Sequence, residues 1–138
     1  PAMNRDGDLL SDLVLKMFGT IAGAESVIFA LDDNFDVKVA LTEAPHGTAP
    51  SLEGKNVANP MAMILACAAM LRYVRTDKTA TASRALYEAT METVFDGVRT
   101  SDLGGNATTI GFTDEVIRRV KGKIDIWDSL GEAPAVEH

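Results

Sequence analysis

The chain has 138 residues, 46% of them hydrophobic and 24% charged, and a net charge of −7. That is the length of one domain with enough apolar mass for a core. The acidic balance excludes non-specific attraction to nucleic acid or an anionic membrane, both of which need a basic surface.

From the N-terminus, Leu9, Leu10, Leu13, Val14, Met17, Phe18 and Ile21 recur at helical spacing and predict a first helix that frays at Gly19 and Gly23. Asn4, Arg5, Asp6 and Asp8 interrupt this end, so it does not read as a signal peptide. "SVIFAL", Ser26 to Leu31, is a short continuous apolar run of the kind found in buried strands. "DDNFD" has turn composition, and "VKVALT", Val37 to Thr42, is β-branched and partly alternating. The two strands are placed to form a hairpin.

"EAPHGTAP", Glu43 to Pro50, follows as a Pro/Gly-stiffened polar loop carrying one of the two histidines. It leads to a helix with Asn59 as N-cap and Pro60 as first residue. The run Met61 to Leu71 falls well short of the roughly 20 residues that span a bilayer, so it reads as a buried helix. Being apolar on nearly all sides, it needs covering by neighbours or another subunit. Cys67, the lone cysteine, reads as core; it cannot form an internal disulfide and it fits a reducing compartment, the cytoplasm or one such as the mitochondrial matrix.

A third helix is expected over about Thr79 to Val98, with Tyr87, Met91, Val94, Phe95 and Val98 on its inner face. "TSDLGGNATT", Thr100 to Thr109, is a glycine-rich loop. A last helix is expected from near Thr113. Asp114 and Glu115 stand in its first turn, Arg118, Arg119 and Lys121 near its end, and Gly122 as its stop. Residues from about 131 to 138 read as a frayed tail. The order α-β-β-α-α-α holds too few strands for a free-standing α/β domain and reads as part of a sheet.

Three constellations carry chemistry. Asp8 and Asp12 are four apart, so on a helix they point the same way and suit a hard cation such as Mg²⁺ or Mn²⁺; the same pair also suits a solvated acidic helix start. In the second, His46 is held between Pro45 and Gly47, while Gly47 and Thr48 offer unobstructed backbone N–H groups. Asn59 carries both donor and acceptor. A plain stiff connection with a helix cap has the same composition. In the third, the paired glycines of "DLGGNATT" permit close backbone approach to a ligand, as they would in an ordinary interhelical loop. The G-x-G-x-x-G and Walker A patterns are absent.

Taken together, "GDLLSD" (Gly7 to Asp12), "EAPHGTAP", "GKNVANPMAMILACAAMLR" (Gly54 to Arg72) and "DLGGNATTIGFTDEVI" (Asp102 to Ile117) resemble, in that order, the isocitrate/isopropylmalate dehydrogenase family. These are metal-dependent decarboxylating 2-hydroxyacid dehydrogenases. The resemblance implies an α/β fold, the C-terminal part of a non-Rossmann three-layer sandwich. The sheet would be incomplete in this chain alone, and residues 1–138 would be the C-terminal segment of the large, cofactor-binding domain. It implies that Asp8 and Asp12 hold Mg²⁺ or Mn²⁺. It places Glu43, His46, Gly47, Thr48, Ala49 and Asn59 on the cofactor loop, the histidine packing on adenosine and the asparagine contacting adenine.

Two departures stand out. Ser51 takes the place after "TAP" where NAD-using members typically carry an aspartate; a serine there can still bond a ribose hydroxyl. No basic residue occurs over Ser101 to Gly105, where NADP-using members carry an arginine, so NAD is favoured over NADP. "HGTAP" and "DLGGNATT" lean to the isocitrate branch. The substrate arginines and the catalytic tyrosine and lysine of the family lie upstream of these motifs. The chain is therefore expected to be inactive alone. It would work with a complementing N-terminal chain or subunit in a homo- or hetero-oligomer acting on a small hydroxy acid. The alternatives are a non-catalytic nucleotide-binding or regulatory subunit and a purely structural one.

Overall fold

The computed structural model describes residues 3–17, 25–74 and 76–131, and of Leu15 and Lys16 the backbone alone. Its elements run α1 (Asn4–Met17), β1 (Ser26–Leu31), β2 (Val37–Glu43), α2 (Met61–Leu71), α3 (Asp77–Phe95) and α4 (Thr109–Leu130), with single 3₁₀ turns at Pro50–Leu52 and Ser101–Leu103. The expected order of elements is met. Phe18, Gly19, Ile21, Gly23 and the tail beyond 131 lie outside the described residues.

β1 and β2 form the expected antiparallel hairpin, in register from Ser26 opposite Glu43 to Ala30 opposite Val39, with a bulge at Ala30/Leu31. Its turn is closed by Asp32, whose Oδ1 accepts from the backbone N–H of Asn34 (2.8 Å) and Asp36 (3.0 Å). Such a short side chain mimics a backbone turn. β1 is not buried as expected. Ile28 is 57% and Leu31 49% exposed, because among the described elements only α2 packs on this two-stranded sheet. The apolar stripe of α1 (Leu9, Leu10, Leu13, Val14, Met17) is likewise exposed, and α1 packs on no other described element.

The core lies where α2 meets α3 and α3 meets α4. Met61, Leu65, Ala89, Phe112 and Val116 are buried together, with Ile64, Leu86, Tyr87, Val94, Leu103 and Val120 packed around them. Small residues let these helices approach closely. Ala62, Ala66, Ala68 and Ala69 of α2 and Ser83 and Ala85 of α3 are all buried, and the Ser83 hydroxyl donates across to the Ala68 carbonyl (2.7 Å). The buried hydroxyls of Thr90 and Thr93 donate to carbonyls one turn back, Leu86 and Ala89. Among the described residues no buried side-chain polar atom lacks a partner, as a stable interior requires.

Three expectations need correcting. Cys67 is exposed rather than core. With Met63 and Met70 it forms the open stripe of α2, at i, i+4 and i+7. The buried face of α3 is Ser83, Ala85, Ala89, Thr90 and Thr93, whereas Met91 (44%) and Phe95 (85%) are exposed. Tight helix contacts select small side chains over large ones there. Finally, α4 starts at Thr109 and runs through Gly122. The Thr108 hydroxyl caps it by accepting from the Gly111 N–H (3.0 Å), and it stops at Gly131 in the left-handed region, φ 67°. An interior glycine costs a helix about 1 kcal/mol. Contacts beyond it offset that: Lys123 bonds Glu88 (3.1 Å) and Glu92 (2.7 Å), and the Arg84 guanidinium lies 4.9 Å over the Trp127 ring.

Candidate functional site

Two loops far apart in sequence make the principal cleft. The first leaves β2 at Glu43 and bends at Ala49, which sits at φ 42°. The left-handed region disfavours a Cβ by about 1–2 kcal/mol, but Pro50 next in line disfavours the right-handed alternative. The 3₁₀ turn at Pro50–Leu52 then closes with Leu52 N–H donating to Ala49 O (2.9 Å). The His46 Nδ1–H donates to the Gly47 carbonyl (2.9 Å), which fixes the ring against its own loop. Downstream, Asn59 Oδ1 accepts from the Met61 N–H (2.9 Å). Pro60 rather than Asn59 is therefore the N-cap of α2, and the helix starts at Met61 rather than Pro60; Asn59, one position further out, still supplies the bond to its first N–H.

The second loop, Thr100 to Thr108, is shaped by Gly105. A Cβ there would lie 2.1 Å from the Arg99 carbonyl oxygen, so only glycine fits. One bond ties the two loops directly, and three more tie the first loop to the opening turn of α4. Asn59 Nδ2 donates to Asp102 Oδ2 (2.9 Å), Thr109 Oγ1 to Ala58 O (2.5 Å), Thr109 N–H to Asn56 O (3.1 Å) and Ile110 N–H to Asn56 Oδ1 (3.0 Å). Asn56 is itself left-handed (φ 56°), a conformation asparagine tolerates.

Between the loops lies an open cleft of about 970 Å³. His46, Gly47, Thr48, Ala49 and Asn59 all line it, together with Ser101 and Asp102 from the facing loop. Glu43 and Ser51 do not; Glu43 is exposed at the end of β2, opposite Ser26, and Ser51 is exposed on the 3₁₀ turn. Among the described residues, no lysine or arginine lines the cleft, whereas Glu53 and Asp102 do.

Asp8 and Asp12 line a second cleft of about 630 Å³, with Glu25, Ser26 and Pro45. The Glu43–Pro50 loop thus divides the clefts, with Pro45 on one side and His46 on the other. Mg²⁺ keeps several waters and takes only one or two carboxylates. Two aspartates one helical turn apart on a solvent-open cleft fit that donor set. Among the described residues, no group of three or more His, Cys, Asp or Glu side chains is placed to hold a metal. Glu25 is fixed by the Tyr87 hydroxyl, which donates to its Oε1. Burial first, and then that bond to a carboxylate, raise the pKa of Tyr87, so it stays a donor.

Asp102, Ser101, Glu25 and Tyr87 were not singled out from sequence as site residues. Asp102 stood inside a quoted motif, but its partner Asn59 is 43 residues away, and no spacing rule connects them.

The sequence pattern of the isocitrate/isopropylmalate dehydrogenase family matches residues 2–120. The chain belongs to that family. Family relatives include the mitochondrial NAD isocitrate dehydrogenase subunit alpha of Homo sapiens, 40% identical over 119 residues (86% of this chain, 30% of the relative). They also include 3-isopropylmalate dehydrogenase B of Aspergillus niger, 39% identical over 127 residues (88% and 33%). Among solved structures, the apo β-decarboxylating dehydrogenase of Thermococcus kodakarensis matches with a TM-score of 0.67 and 34% identity, covering 97% of this chain and 36% of that one. The chain spans about a third of the length of the family members it matches. Both the isocitrate and isopropylmalate branches are represented. The fold expectation is met in its coarse form, a helix-rich α/β chain matching a dehydrogenase of this family. No described helix is long and apolar enough to cross a membrane.

Proposed function

We propose that this chain supplies the adenosine wall and two metal-binding aspartates of an NAD-dependent, Mg²⁺- or Mn²⁺-dependent oxidative decarboxylase of a 2-hydroxy acid, isocitrate first and isopropylmalate next. The observation that carries this is the cleft itself: His46, Gly47, Thr48, Ala49 and Asn59 meet Asp102 across it, and the two loops are bonded together. His46 offers a ring face to the adenosine, and Gly47 and Thr48 offer backbone N–H groups to the ribose and pyrophosphate. A cleft with two carboxylates and no cation opposes an added 2′-phosphate, which favours NAD over NADP. Glu43 and Ser51 stand beside the cleft rather than in its lining.

Asp8 and Asp12 would hold the divalent ion in the neighbouring cleft. Bound there, it would polarise the substrate hydroxyl and carboxylate and stabilise the enolate oxygen that forms on loss of CO₂. Glu25, held by Tyr87, keeps a third carboxylate facing that cleft. Residues 1–138 would be the C-terminal segment of the large domain of a three-layer sandwich. The arginines and the tyrosine–lysine pair for substrate would come from a complementing chain or segment. Exposed apolar faces on α1 and the hairpin fit such a partner or a second copy.

A second reading, a non-catalytic nucleotide-binding or regulatory subunit, is favoured by one contrast. The nucleotide cleft is pinned by cross-loop bonds, whereas the aspartates sit on α1, which packs on no other described element.

Calorimetric titration of AMP, NAD and Mn²⁺ into the chain separates these. Competitive AMP and NAD binding, weakened by His46→Ala, and Mn²⁺ binding lost in Asp8→Asn and Asp12→Asn support the dehydrogenase reading. Nucleotide binding with no Mn²⁺ binding, alone or with the complementing chain, supports the second. Failure to bind AMP or NAD in either state overturns both. Turnover of isocitrate by the 138-residue chain alone would overturn the need for a complementing part.

A further inference from the structure

Three carboxylates line the 630 Å³ cleft, and they are held very differently. Asp8 and Asp12 are exposed on α1, which packs on no other described element. Glu25 is half-buried just before β1, and its Oε1 accepts from the hydroxyl of Tyr87, 62 residues away on α3. Tyr87 is itself packed against the buried cluster of Met61, Leu65, Ala89, Phe112 and Val116. Its phenol is a dependable donor, because burial first and the bond to Glu25 second raise its pKa. A phenol has one O–H to give. The bond to Oε1 therefore leaves the other carboxylate oxygen able to accept. A glutamate has three side-chain torsions, and tying one oxygen to a ring seated in the core removes much of that freedom.

The three carboxylates are not ligands of one ion. Among the described residues, no group of three or more His, Cys, Asp or Glu side chains is placed to hold a metal. Glu25 therefore has a different task from the aspartates. Mg²⁺ taken by one or two carboxylates keeps several waters. Each such water is a polarised donor, and a carboxylate is its strongest acceptor. We infer that Tyr87 is a positioning residue for the divalent-ion cleft: it holds Glu25 so that the carboxylate accepts from water bound to an ion on Asp8 and Asp12. The inference rests on the divalent-ion reading of that cleft. Glu25 meets the ion's water, and Tyr87 acts through Glu25. A glutamate released from the phenol keeps its charge and loses its direction. Losing an outer partner of this kind typically lowers metal affinity by roughly 10–100-fold.

The test titrates Mn²⁺ into the full chain by electron paramagnetic resonance, using wild type, Glu25→Gln, Tyr87→Phe, the double variant and Asp8→Asn. Circular dichroism and urea unfolding check the fold. Glu25→Gln keeps an oxygen for the Tyr87 hydroxyl, so its urea midpoint should not move, while Mn²⁺ binding weakens by roughly 10–100-fold. Tyr87→Phe keeps the packed ring and should weaken binding by about tenfold, the low end of that range. The double variant should bind no more weakly than Glu25→Gln, since the two residues act as one unit. The number of waters on bound Mn²⁺, read by electron–nuclear double resonance, should be the same in wild type and Glu25→Gln. A gain of one water in Glu25→Gln would show direct ligation and overturn the water-mediated role. A double variant much weaker than Glu25→Gln overturns the claim that Tyr87 acts through Glu25. Should Tyr87→Phe not fold, Glu25→Gln decides alone. Wild-type affinity in Glu25→Gln, with binding weakened in Asp8→Asn, overturns the inference and leaves the divalent-ion reading standing. If the wild type binds no Mn²⁺, the divalent-ion reading has failed, and the inference with it.

Discussion

Helices α2 to α4 hold every fully buried hydrophobic side chain among the described residues, while α1 and the hairpin hold none. Both regions carry comparable apolar patterns in sequence, so hydrophobic content alone does not make a core. The difference lies in partners. α2, α3 and α4 meet through alanines, serine and threonines that let backbones approach, and α3 and α4 then tie their outer faces with charge. Arg119 bonds Glu115 and Asp96 (both 2.6 Å), and Lys123 bonds Glu88 and Glu92. Burial disfavours the ionised form of Glu88, but the bonds from Arg84 and Lys123 outweigh it and lower its pKa. α1 and the hairpin present Leu13, Ile28, Val39 and Leu41 to the outside, each about half exposed. Such faces are complete only when covered.

The sharpest way to break this contrast is a pair of truncations. Phe112→Ala, at a fully buried side chain, is expected to cost about 3–5 kcal/mol in urea unfolding. Leu13→Ala on α1 should stay within about 0.5 kcal/mol. Equal costs would show that α1 is part of the same core. Two glycines come next. Gly105→Ala forces a Cβ against the Arg99 carbonyl and is expected to destabilise by about 1–3 kcal/mol and weaken AMP binding. Gly122→Ala meets nothing and should stabilise α4 by about 0.5–1 kcal/mol.

Acid offers a third test. Bonds from Arg118 first and Arg119 second hold the Glu115 carboxylate down to about 2, against an ordinary value of 4.5. A depressed carboxylate stabilises the fold fully above its unfolded value, and that contribution is lost as pH falls through the folded value. Stability should therefore decline between about pH 4.5 and pH 2 through this group, and Glu115→Gln should flatten that part of the profile in thermal melts. The smallest effect on stability is expected from Leu13→Asp and Leu41→Asp, within about 0.5 kcal/mol. The same changes should shift the chain toward monomer in sedimentation at fixed concentration. An unchanged distribution would show that these faces do not mediate association.

What could be read from sequence was local. The α1 stripe, the Asp-rich hairpin turn, the start of α2 beside Asn59 and the loop from Glu43 to Pro50 each announce themselves within a few residues, and each appears. What could not be read was relational. Hydropathy points to Met91 and Phe95 as the inner face of α3, but the partner helix selects Ala85 and Ala89. Cys67 looks like core until Met63 and Met70 prove to share its open stripe. Gly122 carries a stop signal that Lys123 and Trp127 override by reaching across to α3. Of the cleft, His46 to Ala49 were legible as a motif, whereas Asp102 has a meaning only once the fold brings it to Asn59.

The bonds between Asn56, Ala58, Thr109 and Ile110 close chain segments of 51 to 54 residues. Contacts that distant must meet the entropy of closing the intervening chain before they return anything. That entropy is met by the docking of α2, α3 and α4, so the cross-cleft bonds hold only while the three helices are docked. In hydrogen-exchange terms, the Thr109 and Ile110 amides are expected to open no later than the docked helices. The binding wall is thus a thermometer of helix docking: it is lost at the latest when the three helices part.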